Sequence, residues 1–191
     1  MSLKHAILGF LSYKPLSGYD LKKAFDRSVR HFWPANQSQI YRTLAELEEQ
    51  GYIEKEIIPR EERLDMKVYS INEAGSQELQ RWLSTPLPAQ DYREPLLVQI
   101  YFAGKLSEEE LDHLLHHEIE AMQERLAAYK AIYAMYQGEI EKHPDPRAFF
   151  LSVLTLEYGI LSNQAALEWL ISAAERVRSR TYTLKDFDFN I

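Results

Sequence analysis

Two long runs of helical periodicity in the second half constrain this chain more than any other feature of its sequence. The first carries Leu111, Leu114, Leu115, Ile119, Met122, Leu126, Tyr129, Tyr133 and Tyr136. The second carries Phe149, Phe150, Val153, Leu154, Leu156, Ile160, Leu161, Leu167, Leu170 and Ile171. Apolar side chains recurring three and four residues apart share one helix face, and stripes this wide need cover. Both starts are marked: Ser107-Glu108-Glu109-Glu110 reads as a capping box, and Asp145-Pro146 supplies a cap followed by a proline at the first helical position. Helices of about 30 residues are about 45 Å long, too much for a small neighbouring domain to cover. Two arrangements remain: an antiparallel hairpin that buries its own stripes, or a symmetric pair of chains covering one another. The homodimer is the expectation.

The first half is organised differently. Leu3, Ile7, Leu8, Phe10 and Leu11 define a helix over 3–14, ended by Pro15 and Ser17-Gly18. Ser17 caps a second helix through Tyr19, Leu21 and Phe25, and Asn36 or Ser38 opens a third that stops at Gly51. Ile53 to Ile58 and Met66 to Ile71 are β-rich around the charged turn Pro59 to Asp65, which makes a hairpin, and Asn72 caps a fourth helix through Leu79, Trp82 and Leu83. Three helices followed by a strand, a turn and a strand are the winged helix-turn-helix order. Thr85-Pro86-Leu87-Pro88 reads as a short stiff linker, and a further short helix covers 94–103. The expected architecture is mainly α with a small β-hairpin wing. A winged helix domain spans 1–85, a linker 86–93 and an all-helical dimerisation domain 94–191.

The third helix carries the functional signal. Ile40, Leu44 and Leu47 share one face and point inward, so Asn36, Gln37, Ser38, Gln39, Tyr41 and Arg42 lie outward along its N-terminal half. Recognition helices read base edges from that end, with Gln suited to adenine and Arg to guanine. The acids Glu46, Glu48 and Glu49 fall in the second half, away from a groove. Arg60 and Arg63 in the wing turn, with Lys67 after them, would lay cations along phosphates, although Glu61, Glu62 and Asp65 are interleaved. Net charge is −7, but residues 1–85 hold 12 Lys+Arg and 12 Asp+Glu, leaving 10 against 17 for residues 86–191. All of the acidic excess therefore lies outside the proposed DNA-binding half.

The N-terminal part resembles the PadR-type transcriptional regulators. The matching residues are Ile7-Leu8-Gly9-Phe10-Leu11, Pro15-Leu16-Ser17-Gly18-Tyr19-Asp20-Leu21 and Ser38-Gln39-Ile40-Tyr41-Arg42-Thr43-Leu44. Leu47-Glu48-Glu49-Gln50-Gly51-Tyr52-Ile53 and Val68-Tyr69-Ser70-Ile71 with Glu73-Ala74-Gly75 complete the set. The C-terminal half is similar in length and layout to the larger subgroup with a multi-helix dimerisation domain. The resemblance implies a homodimer on a pseudo-palindromic double-stranded DNA operator, usually repressing by occlusion. It makes Gln39, Tyr41 and Arg42 groove-facing and Tyr19 with Lys22 backbone contacts. Some relatives are relieved by phenolic acids or other small aromatic compounds. Family wings carry a Gly-Arg-type turn, from which Arg63-Leu64-Asp65-Met66-Lys67 departs.

Other chemistry is weighed against this. With no cysteine, disulfides, thiolate metal sites and cysteine nucleophiles are excluded, and a reducing cytoplasmic setting is expected. No apolar run reaches membrane-spanning length, and Met1-Ser2-Leu3-Lys4-His5 lacks a signal-peptide pattern. His113 and His117 are spaced to chelate a metal, but with His116 and Glu120 they read as a solvated helix face. No phosphate loop or nucleophile signature stands out, so neither a cofactor nor an enzymatic activity is expected. Gly9 reads as a close helix contact. Phe32, Trp33, Trp82, Tyr92, Tyr101 and Phe102 are the aromatics from which an effector pocket between the domains would be built, with ordinary packing as the plainer explanation. The rival function is a winged helix used for protein–protein contact without specific DNA binding.

Overall fold

The structure, a computed structural model, describes residues 2–59, 65–89 and 93–184, so Arg60, Arg63 and Tyr92 lie outside the described residues. The chain divides into two compact units, Met1–Gln90 and Asp91–Ile191.

In the first unit α1 (Ser2–Leu11), β1 (Leu16–Ser17), α2 (Gly18–Arg27) and α3 (Gln37–Glu49) precede the hairpin β2 (Ile53–Ile58) and β3 (Met66–Ile71), and α4 (Glu73–Ser84) follows. α1 stops at Leu11, short of the expected 3–14, because the backbone must leave the helix before Pro15 to enter β1. The wing strands have the bounds read from the sequence and pair antiparallel from Ile53 opposite Ile71 to Ile58 opposite Met66. β1 is an addition: Leu16 pairs with Tyr69 and Ser17 with Val68, giving the order β1-β3-β2. Ser17 thus serves twice, because its hydroxyl also accepts the Asp20 N–H at 3.1 Å and caps α2. Gly51, with φ +70°, makes the left-handed step from α3 into β2. The core joins Ile7, Leu8 and Leu11 of α1, Leu21 and Phe25 of α2, and Ile40, Leu44 and Leu47 of α3, closed by Ile53 and Tyr69 from the sheet. A methyl group at Gly9 would meet open space, so the close helix contact expected there does not exist.

The second unit contains α5 (Pro95–Phe102), a 3₁₀ turn at Ala103–Lys105, α6 (Glu108–Tyr136) and α7 (Pro146–Arg178). α6 opens on the expected capping box: Ser107 accepts the Glu110 N–H while Glu110 accepts the Ser107 N–H. That exchange, led by the backbone N–H of Ser107, holds the Glu110 carboxyl below its ordinary range. α7 opens on Asp145 with Pro146 at its first turn. The two helices run antiparallel: Leu115 packs with Leu170 and Ala174 at one end, and Tyr136 meets Phe149 edge-on at the other. Polar ties close the first end. Arg180 clasps both carboxylate oxygens of Glu108 at 2.7 and 2.8 Å, and Arg178 reaches Asp112 and His116. His116, bridging Arg178 and Asp112, is part of this fastening.

Candidate nucleic-acid interface

α3 is set by its buried side. Ile40, Leu44 and Leu47 are fully buried, and Thr43, which the sequence places on no particular face, is buried with them. Consequently Asn36, Gln37, Ser38, Gln39, Tyr41 and Arg42 are all exposed, on one contiguous surface at the N-terminal half of the helix. Glu46 and Glu49 are exposed in the second half, and Glu48 is drawn aside to Lys55 of β2 at 2.5 Å. That hydrogen bond raises the Lys55 pKa and ties the base of the hairpin to α3.

Three of these residues have local partners that decide what they present. Asn36 is the N-cap, and with Gln39 it forms a full capping box. Asn36 Oδ1 accepts the Gln39 N–H at 2.9 Å, and Gln39 Oε1 accepts the Asn36 N–H at 2.9 Å. The motif, an Asn followed three residues later by Gln, stands in the sequence but is overshadowed there by its reading as a DNA-facing surface. The Tyr41 ring lies against Gly18, where a Cβ would sit 2.6 Å from its Cε1 atom. The phenol is therefore packed against the N-terminus of α2 while Tyr41 stays exposed. Arg42 reaches only a long ion pair with Glu46, at 3.9 Å between two exposed side chains, which leaves its guanidinium available.

Around this surface stand further cations. Lys22 pairs with Asp26 one turn on, Lys23 Nζ lies 4.4 Å from the centre of the Tyr19 ring, and Lys67 is exposed on β3 opposite Ile57. Lys22, Asp26, Arg30, Asn36 and Gln39 line an open cleft of about 420 Å³ between α2 and α3. Arg30 was not singled out in the sequence, since it lies in the loop after α2 with no pattern around it.

The aromatic set is distributed. Trp82 is stacked on His5, with ring centres 4.5 Å apart and planes 6° from parallel. Phe32 meets His31 edge-on at 4.7 Å, and Trp33 is about one-third exposed beside it. In the second unit Tyr101 and Phe102 form an edge-on pair, 4.9 Å apart, and both are exposed. Sequence reasoning missed the cluster beneath Trp82. Glu78 of α4 is buried, and its carboxylate accepts from Lys4 Nζ at 3.0 Å, from His5 Nε2 at 3.2 Å and from Arg81. The hydrogen bond from Lys4 leads in lowering its pKa to about 2. Burial opposes that shift, while His5 and Arg81 add to it.

Comparison with known proteins agrees with this geometry. Residues 7–81 match the transcriptional regulator PadR-like family, and residues 92–178 match the virulence activator alpha C-terminal family. A probable transcriptional regulator of Mycobacterium tuberculosis is 32% identical over 94% of this chain and 100% of its own length. The negative transcriptional regulator PadR of Bacillus subtilis is 30% identical over 89% of this chain and 94% of its own. Among solved structures, B. subtilis PadR in complex with operator DNA superposes with a TM-score of 0.81 at 28% identity, covering 93% of this chain and 99% of that one. The same protein in complex with p-coumaric acid gives 0.70 at 28% identity, covering 92% and 95%. This chain belongs to the PadR-like family of transcriptional regulators.

Proposed function

We propose that this chain is a homodimeric, sequence-specific DNA-binding repressor that occludes its operator and is released by a small aromatic acid. The observation that carries the reading is the surface of α3. On a frame similar to that of an operator-bound regulator, its N-terminal half exposes six consecutive or near-consecutive hydrogen-bonding residues, while its acids sit at the far end. Ser38 and Arg42 are the base-edge readers, with the pinned Tyr41 beside them and Gln37 and Asn36 toward the backbone. Tyr19, Lys22 and Lys67 contact phosphates, joined by Arg60 and Arg63 from the wing turn. A dimer places two such helices in major-groove segments about one helical turn apart or a multiple of it. The acid excess of the second half is no obstacle, since residues 1–85 are charge-balanced.

Phe32, Trp33 and Trp82 of the first unit, and Tyr92, Tyr101 and Phe102 of the second, are the aromatic residues proposed as candidates for effector contact. The p-coumaric acid complex of the B. subtilis relative supports a phenolic acid as the class of ligand. The chain is read as a regulator without enzymatic activity, acting in the cytoplasm; no helix among the described residues is long and apolar enough to cross a membrane. A titration against duplex DNA from the region upstream of its own gene, at several salt concentrations, tests the reading. Tight, sequence-selective and steeply salt-dependent binding is expected, weakened by a phenolic acid. Binding no tighter than to random duplex would reject that operator, and the same result across a genomic fragment library would reject the function in favour of a protein-contact module.

A further inference from the structure

The cleft between α2 and the start of α3 has one-sided chemistry. The side-chain oxygens of Asn36 and Gln39 are turned back onto each other's backbone N–H groups. A backbone N–H can only donate, so the oxygen ends of both amides are fixed there and their NH₂ groups are what remains for a ligand. Asp26 is the acid of the cleft, and Lys22 neutralises it. Arg30 is exposed on the same cleft and has no ion-pair partner among the described residues. Two cations against one carboxylate leave the cleft net positive, and its lining offers amide, ammonium and guanidinium donors together. Pro34 and Ala35 complete the lining as its apolar wall. A compact anion with several acceptor oxygens satisfies the whole set of donors.

We propose that this cleft seats one backbone phosphate of the bound DNA, with Arg30 as its principal cation and the Asn36 and Gln39 amides as its neutral donors. The proposal rests on the DNA-binding reading above and adds to it Arg30, a cation that lies outside α3. It also changes the role of Gln39. A Gln that pairs with adenine directs its oxygen and its NH₂ at the same base edge. Here the oxygen serves the cap, so Gln39 fixes the register of the helix on the backbone and leaves base selection to its neighbours.

The test is a salt-dependence series with the full-length protein on a selected operator fragment and on a random duplex of equal length. Arg30→Ala should weaken both by a similar factor, several-fold at physiological salt, and reduce the slope of log affinity against log salt by about one. Arg30→Lys should retain most of that slope. Gln39→Glu keeps the capping acceptor but places a second carboxylate in the cleft, so it too should weaken both duplexes alike. Lys130→Ala, an exposed cation removed from α6, should change neither slope nor affinity. Wild-type binding with an unaltered slope in Arg30→Ala overturns the assignment and leaves the DNA-binding reading standing. A wild-type protein that binds no duplex brings down both. Calorimetric titration of the free protein with inorganic phosphate at constant ionic strength separates the remaining source. Saturable binding lost in Arg30→Ala, together with an unchanged DNA slope, would give the cleft to a free phosphate compound instead.

Discussion

Glu78 shows how much a single buried carboxylate organises. It lies under Trp82 and His5, and three donors from two helices, Lys4, His5 and Arg81, converge on its two oxygens. Its pKa falls from the ordinary 4.5 to about 2, so folding favours the ionised form. The associated stability is therefore complete above pH 4.5 and drains away as the pH falls from there towards 2. Glu78→Gln should cost about 1.5 kcal/mol at neutral pH, the order of a hydrogen bond to a charged group. It should also flatten the acid limb of the stability curve. Thermal melts at pH 7 and pH 3 measure both, and equal acid losses in variant and wild type would contradict the assignment. Gly18 tests a different kind of constraint. An added methyl group would come 2.6 Å from the Tyr41 ring, so Gly18→Ala must displace the ring or shift α2. The expected result is about a tenfold loss of operator affinity (~1.4 kcal/mol). Gly18→Ala combined with Tyr41→Ala should be more stable than the two separate losses predict, because the clash has gone. Strict additivity of the two losses would mean that the ring is not what fills that space.

At the level of the element, α3 carries the proposed DNA-reading surface, and its cap sets where it begins. Asn36→Ala removes the acceptor for the Gln39 N–H and should cost about 1 kcal/mol of stability, read as a shift in denaturant midpoint. Arg42→Ala should leave stability unchanged, since its pairing with Glu46 is long and solvated. It should nevertheless lower affinity for the cognate operator by about 1–3 kcal/mol, with a much smaller effect on random duplex. Equal losses on both duplexes would make Arg42 a phosphate contact. The elements themselves were legible because each is locally determined. Ile40, Leu44 and Leu47 repeat at helical spacing, the wing strands are bounded by turn residues, and Asn72, Ser107 and Asp145 each stand where their side chain accepts the backbone N–H three residues on. What was not legible depends on partners far away in sequence. β1 is two residues long and exists only through its pairing with Val68 and Tyr69. His5 and Glu78 are 73 positions apart, and nothing near either of them announces the other. Gln39 belongs to a third class. Its capping pattern was readable, but a polar residue on an outward face satisfies two explanations at once, and only the hydrogen-bond geometry selects between them.

On the scale of the whole molecule, the second unit forms the hairpin that its sequence allowed and leaves apolar surface uncovered. α6 and α7 do form an antiparallel hairpin, and Leu156, Leu170 and Ala174 are buried in it. Yet Phe150, Leu154, Tyr158, Leu161 and Trp169 remain exposed on α7. At 100° per residue these five fall within an arc of about 100°, on the side of α7 away from Leu156, Leu170 and Ala174. The stripe spans 20 residues from Phe150 to Trp169, about 28 Å along the axis. An apolar band of that length beside an already satisfied hairpin face is what a symmetric partner would cover. Leu154→Asp with Leu161→Glu should therefore yield a folded monomer, because neither side chain supports the core of its own chain. Helical content by circular dichroism should be kept, while sedimentation should report half the wild-type mass. The loss should reach the DNA as well. A dimer reads two half-sites at the entropic cost of one association, whereas a monomer must order each contact separately, so operator affinity should fall by orders of magnitude while affinity for an isolated half-site changes little. A double variant that sediments as a dimer would move the interface to another face of the second unit. A monomer that kept wild-type operator affinity would mean that each winged helix binds its half-site independently, and occlusion by a bridging dimer would have to be abandoned.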